Sequence, residues 1–213
     1  MAKGRLITIE GVDGAGKSTL ARSLAAALQA RGCPVELLRE PGGVEVAERI
    51  RALVKDPELA VSPRAEALLY AAARAQLVEQ LIEPALASGK VLLLDRFVDS
   101  SLAYQGGGRE LGIAAIREIN EFATGGLQPD RTLLLSIDPG LGRARSHGRR
   151  EPLDRLERED RAFHARIAAT YAELAASDPD RIRTLDATEP PDHVLAAALD
   201  ALSDLVAAAD QPE

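Results

Sequence analysis

This sequence predicts a mostly parallel α/β fold with a phosphate-binding loop after its first strand, on three observations. Short apolar runs alternate with longer helical patterns, which favours strand–helix–strand units over segregated layers. Two of the runs, "KVLLLDR" and "RTLLLSID", are apolar at consecutive positions, as parallel strands covered on both faces are. The first run, "RLITIE", leads directly into "GVDGAGKST".

In chain order, strands are expected at 5–10, 34–40, 90–96, 131–138 and 181–186. Helices are expected at 17–31, 44–54, 63–87, 111–123, 157–177 and 191–208. Gly32 sits where the first helix must stop, and Pro63 behind Ser62 suits the first turn of the third. The alanine-rich end reads as an amphipathic last helix that frays. No repeat of 20–50 residues and no linker divides the 213 residues, so a single domain over 1–213 is expected.

Composition narrows the function. A net charge of -7 argues against a duplex nucleic-acid binder, which needs a basic face. The cations are 22 Arg against 4 Lys, so a lone arginine says little and clusters must be judged by position. Cys33 is the only cysteine, which leaves no intrachain disulfide and no cysteine-based metal site. His147, His164 and His193 are far apart and read as solvated or structural. No run reaches a membrane span, and the start lacks the apolar region of a signal peptide, so a cytoplasmic protein is the expectation.

The loop carries the first chemistry. Gly11, Val12, Asp13, Gly14, Ala15, Gly16, Lys17 and Ser18, followed by Thr19, match G-x-x-x-x-G-K-[S/T] between a strand and a helix. Glycines let successive N–H groups converge on phosphate oxygens, and the helix N-terminus adds partial positive charge. Lys17 is expected on the β/γ-phosphates and Ser18 on Mg²⁺, so a nucleoside triphosphate is the expected ligand. A guanine reader N-K-x-D is missing, since Asn120, the only asparagine, precedes Glu121.

A second set of anion-binding residues follows strands two and three, where open α/β sheets bind ligands. These are "REPGG" at 39–43 and "DRFVDSSLAYQGGG" at 95–108, with Tyr70 and Arg74 four apart on one helix face. Together with "GLQPDRTLLL", "RREPLDRLE" and "LDAT", all in order, these segments resemble the thymidylate kinase family over nearly the whole chain.

The resemblance implies a P-loop nucleoside monophosphate kinase fold with a five-stranded parallel sheet, and phosphorylation of dTMP by ATP with Mg²⁺. It implies Arg96 on the acceptor phosphate with Arg51 as helper, Asp95 orienting Mg²⁺ through water, and Asp13 beside the 3′-hydroxyl. It implies Arg74 and Gln105 on the thymine edge, Ser101 and Tyr104 near base and sugar, Arg39 in the substrate site, and a bend at Glu40 and Pro41 beneath the substrate. Tyr70 stands where most relatives have phenylalanine, and Gly14 where some carry a basic loop residue. The loop's missing cation points to the lid, about 143–158, where Arg149, Arg150 and Arg155 resemble lid arginines of bacterial members. A homodimer is also implied.

A phosphate monoester has its second pKa near ~6, so the acceptor needs no strong base; positioning and charge neutralisation suffice. Two rivals stay open. A deoxynucleoside kinase usually carries glutamate where Asp95 stands, and a non-catalytic P-loop protein would leave "REPGG" and "YQGGG" without a task.

Overall fold

In the computed structural model, which describes residues 4–147 and 154–206, five strands form one parallel sheet in the order β2-β3-β1-β4-β5. The strands are β1 (Arg5–Gly11), β2 (Val35–Arg39), β3 (Val91–Asp95), β4 (Arg131–Ser136) and β5 (Ile182–Asp186). Continuous apolar sequence marks interior strands. In β3 Leu92, Leu93 and Leu94 are fully buried, and β4 is buried from Arg131 to Leu135, whereas edge strand β2 is half exposed.

Central β1 breaks that rule for a physical reason. Its Thr8 and Glu10 are as buried as Ile7 and Ile9. Thr8 pairs with Thr132 hydroxyl to hydroxyl at 2.8 Å, and Glu10 accepts from Phe97 N, Ser100 N, Ser100 Oγ and Tyr171 Oη. A polar group this deep is tolerated because its hydrogen bonds are made.

The helices are α1 (Lys17–Ala30), α2 (Glu45–Lys55), α3 (Pro63–Leu77), α4 (Glu83–Ala87), α5 (Val98–Ser101), α6 (Ile113–Thr124), α7 (Pro139–His147), α8 (Arg161–Ser177) and α9 (Pro191–Asp200). The expected 63–87 helix is continuous, but a π-helical stretch, Val78–Ile82, joins α3 to α4. Two helix boundaries move well inward. The helix expected from 157 starts at 161, where Asp160 caps it by accepting from Phe163 N at 2.7 Å; the last helix ends at 200 rather than 208. The expected β4 end at 138 is cut to 136, because Asp138 turns the chain into α7 by accepting from Gly140 N and Leu141 N.

One element went unread. Segment 98–108 is helical throughout, α5 running into a π-helical stretch Leu102–Gly108. Its glycines are there for contact: a Cβ on Gly107 would lie 1.9 Å from Thr170 Oγ1 of α8. The segment thus lies flat on α8 and holds Tyr104 and Gln105 in place.

Candidate active site

The loop after β1 and the segment after β3 are neighbours because the two strands are paired, Ile9 opposite Asp95, with Arg96 N donating to Ile9 O at 3.1 Å. The chain leaves β1 toward β2 and β3 toward β4, so a crevice opens between them at the carboxyl edge of the sheet. A cavity of about 490 Å³ occupies it. Its lining joins Asp13, Gly14 and Gly16 through Thr19 to Arg39, Glu40, Pro41, Arg51, Tyr70, Arg74, Asp95, Arg96, Ser101, Tyr104 and Gln105. Of the expected loop and substrate residues, Gly11, Val12 and Ala15 alone do not line it; Gly11 and Val12 shape it through their carbonyls.

At the loop, Gly11, Gly14 and Gly16 have φ of 139°, 77° and 99°, backbone that side chains rarely adopt. Gly14 is confined as well: a Cβ there would sit 2.0 Å from Gly142 O at the start of α7. A basic loop residue has no room, which gives the missing cation a structural cause. Lys17 Nζ donates to Gly11 O at 3.0 Å and Val12 O at 2.9 Å. Burial pushes this ammonium down to about 8, with Arg96 adding to the effect. Ser18 Oγ donates to Asp95 Oδ2 at 2.8 Å, which brings a hydroxyl and a carboxylate oxygen together beside the loop.

Arg96 sits at φ 74°, an uncommon conformation for a side-chain-bearing residue, directly after β3. Its guanidinium donates to Gly11 O and Ser100 Oγ, both at 3.1 Å, to Tyr104 Oη at 3.1 Å and to Asp13 Oδ1 at 2.5 Å. Tyr104 Oη closes the ring by donating to Asp13 Oδ2 at 3.0 Å. Burial works to raise the Asp13 carboxyl, but Arg96, Lys17 and the Tyr104 hydroxyl outweigh it and hold it far below the usual range. Arg51 donates to Pro41 O at 2.8 Å just after the cis Glu40–Pro41 bond, and Arg39 pairs with Glu48 at 2.9 Å.

Arg74 is 2% exposed and is held by four hydrogen bonds and an ion pair. Glu40 Oε2 accepts from Nε and pairs with Nη2, and Ser101 Oγ, Asn120 Oδ1 and Phe97 O accept one hydrogen bond each. Gln105 Nε2 donates to Glu66 Oε1 at 2.8 Å.

The lid expectation divides. Arg149 and Arg150 lie outside the described residues. Arg155 does not line the cavity; its Nη2 pairs with buried Glu66 at 2.7 Å, and its Nε donates to Val54 O. From the stretch beside it, Asp154, Leu156 and Glu157 do line the cavity.

Sequence reasoning missed Glu66, Glu10 and Asn120. For Glu66 a signal existed, because 66, 70 and 74 recur at i, i+4, i+8 on one face of α3. The histidines fit the structural reading where their side chains are described. His164 is buried edge-on to Phe163 at 5.5 Å, and His193 sits exposed beside Glu189.

Comparison with known proteins agrees with this geometry. The family model for thymidylate kinase matches residues 9–198. The thymidylate kinase of Oenococcus oeni is 52% identical over 205 residues, 93% of this chain and 95% of that one. That of Deinococcus radiodurans is 46% identical over 204 residues, 96% and 98% of the two chains. The crystal structure of thymidylate kinase from Ehrlichia chaffeensis superposes with a TM-score of 0.76 at 26% identity, covering 94% of this chain and 99% of that one. A loop, a crevice and a charged acceptor end that agree with these matches in sequence and in fold place the chain in the thymidylate kinase family.

Proposed function

We propose that the chain transfers the γ-phosphoryl group of ATP to dTMP, giving dTDP for dTTP synthesis. One observation carries this reading: a single cavity joins the loop that suits a triphosphate to a second cationic centre at Arg96. Lys17 and the loop amides take the donor phosphates. Arg96, with Arg51 lining the same cavity as its helper, takes the acceptor phosphate; a guanidinium matches phosphate oxygens in pairs, which an ammonium cannot. Charge held at fixed positions lowers the barrier without moving in the reaction.

The Ser18 hydroxyl and the Asp95 carboxylate form an all-oxygen set of the kind Mg²⁺ favours. Mg²⁺, when bound, neutralises charge on the donor phosphates. Asp13, kept ionised, suits the sugar 3′-hydroxyl, and the Tyr104 ring stands against a 2′-hydroxyl. Tyr70, Arg74, Ser101 and Gln105 surround the base. The lid, about 143–158 of a single domain, covers the donor with Arg149 or Arg150 as its cation; Arg155, tied to Glu66 and Val54 O, is not placed for that task.

A homodimer belongs to the same reading. The adjacent helices α2, α3 and α6 expose Leu53 at 41%, Leu68 at 57% and Phe122 at 92%, apolar surface that a second copy would cover. No helix among the described residues is long and apolar enough to cross a membrane; a cytoplasmic setting is part of the proposal.

ADP release, followed with ATP and dTMP, dUMP, dCMP, AMP, GMP or thymidine, tests the reaction. dTMP should be best and dUMP poor, since a methyl in a shaped pocket discriminates roughly 10–200-fold. Thymidine should be nearly inert because Arg96 then holds nothing; equal turnover of thymidine and dTMP would hand the site to the deoxynucleoside kinase reading.

A further inference from the structure

Glu66 is fully buried in the first turn of α3, and three side chains converge on it. Gln105 Nε2 donates to Oε1 at 2.8 Å. Arg109 reaches Oε1 at 3.3 Å and Oε2 at 3.0 Å, and Arg155 pairs with Oε2 at 2.7 Å. A carboxylate between two guanidiniums has no hydrogen to give and can only accept.

That fixes the Gln105 amide. Its nitrogen must face Glu66, since the flipped amide would set oxygen against oxygen. The remaining atom is Oε1, an acceptor, and among the described residues no donor is paired with it. Gln105 is 2% exposed and lines the acceptor end of the cavity with Tyr70, Ser101 and Arg74. Arg74, held by four hydrogen bonds and its ion pair with Glu40, is a rigid neighbour that is not paired with that oxygen.

We propose that Glu66 is a positioning residue that locks the Gln105 amide with its carbonyl toward the base, so that the site selects pyrimidines bearing a hydrogen on N3. The inference rests on the reading that the acceptor's base occupies this end of the cavity. Thymine and uracil donate N3–H to the waiting Oε1. Cytosine presents a lone pair at N3 and meets a lone pair. The selection against cytosine is therefore separate from the selection for the methyl group, and Glu66, which never touches the substrate, controls it.

The test is the substitution Glu66→Gln, which keeps the size but can offer Gln105 either an oxygen or an N–H and so frees the amide to turn. kcat/KM is measured for dTMP, dUMP and dCMP on wild type and variant. The expected result is a rise of the dCMP:dUMP ratio by roughly 5–150-fold, the range for correcting one unmatched buried polar contact. The dUMP:dTMP ratio should stay at its wild-type value, because the methyl contact does not involve Glu66. A purely structural role would lower all three together; unchanged ratios overturn the proposal alone. A wild-type enzyme that turns over none of the three overturns the reading of the reaction and the proposal with it. If the variant does not fold, hydrogen exchange of the Gln105 side-chain amide in ¹⁵N-labelled wild type decides. Slow exchange, free and with dTMP bound, supports the lock, and exchange at the solvent rate overturns it.

Discussion

At the donor end of the cavity nine consecutive residues, Gly11 to Thr19, place everything through backbone geometry, with glycines at φ 77–139° and one lysine folded over the loop's own carbonyls. At the acceptor end there is no such run. Arg39 comes from β2, Arg51 from α2, Tyr70 and Arg74 from α3, Arg96 from the end of β3, and Tyr104 and Gln105 from the π-helical stretch. Side chains hold one another there: Asp13, Arg96 and Tyr104 in a closed ring, and Gln105 and Arg109 both on Glu66. The difference teaches where each end is fragile. A backbone-built site fails when an atom is added to it, and a side-chain-built site fails when a partner is taken away.

The sharpest break of this contrast is Lys17→Ala, which removes the one lysine of the loop. Loss of a fixed charge facing the transferring group costs about 10²–10³ in kcat by analogy with other preorganised donors. The loss should be the same for dTMP and dUMP, measured by ADP release, because the proposed reading sets Lys17 against the donor. A loss confined to one acceptor would mean that the two ends are not separate.

Next comes Gly14→Ala. One methyl must enter at φ 77° and 2.0 Å from Gly142 O. Strain and overpacking together amount to about 2–5 kcal/mol of stability, roughly 5–15 °C in Tm for a chain of this length. Calorimetry reads it directly. A Tm within a degree of wild type would show that the loop and α7 part easily, and that the donor end is softer than its geometry implies.

A pH series separates the ends without mutation. Burial, with Arg96 second, sets free Lys17 near 8, and a bound triphosphate favours the ammonium. Below pH 8 the lysine already carries its proton and ATP affinity should not change on its account. Above pH 8 binding must take up a proton, so affinity should fall by about tenfold per pH unit until the bound-state value is reached. Titration calorimetry at pH 7, 8 and 9 in buffers of different ionisation enthalpy checks both the slope and the proton. Flat affinity to pH 9 would mean that Lys17 does not meet the phosphates.

The same contrast explains what could be read from the sequence. The loop was legible because its parts are contiguous and its dihedrals demand glycine. The sheet was legible because buried parallel strands such as "VLLL" leave continuous apolar runs. Most acceptor residues came from resemblance, and the residues that hold them were invisible. Glu10 looks like the polar face of a strand until Ser100 and Tyr171 arrive from 90 and 161 residues away. Segment 98–108 was unread as helix because "GGG" argues against one locally; contact with α8 overrides that preference. Asn120, useless as a guanine reader, turns out to accept from Arg74.

Tyr70 gives the smallest expected effect and the cleanest check on the acceptor end. It is half-buried on the cavity wall, and among the described residues no partner is paired with its hydroxyl. Burial, then Glu66, raises that hydroxyl well above its usual value, so it stays neutral throughout the working range. What the ring contributes is area and a flat face, which phenylalanine supplies equally. Removing a hydroxyl that has no buried partner leaves nothing unsatisfied, so Tyr70→Phe should keep kcat/KM for dTMP within roughly threefold, the size of an ordinary neutral substitution. The measurement that matters is the pair Tyr70→Phe and Tyr70→Ala. If the ring carries the function, the first is near wild type and the second raises KM for dTMP with kcat less affected. If Tyr70→Phe alone lowers kcat/KM tenfold or more, the hydroxyl touches the substrate directly. The acceptor end would then depend on this hydroxyl as well as on the ring.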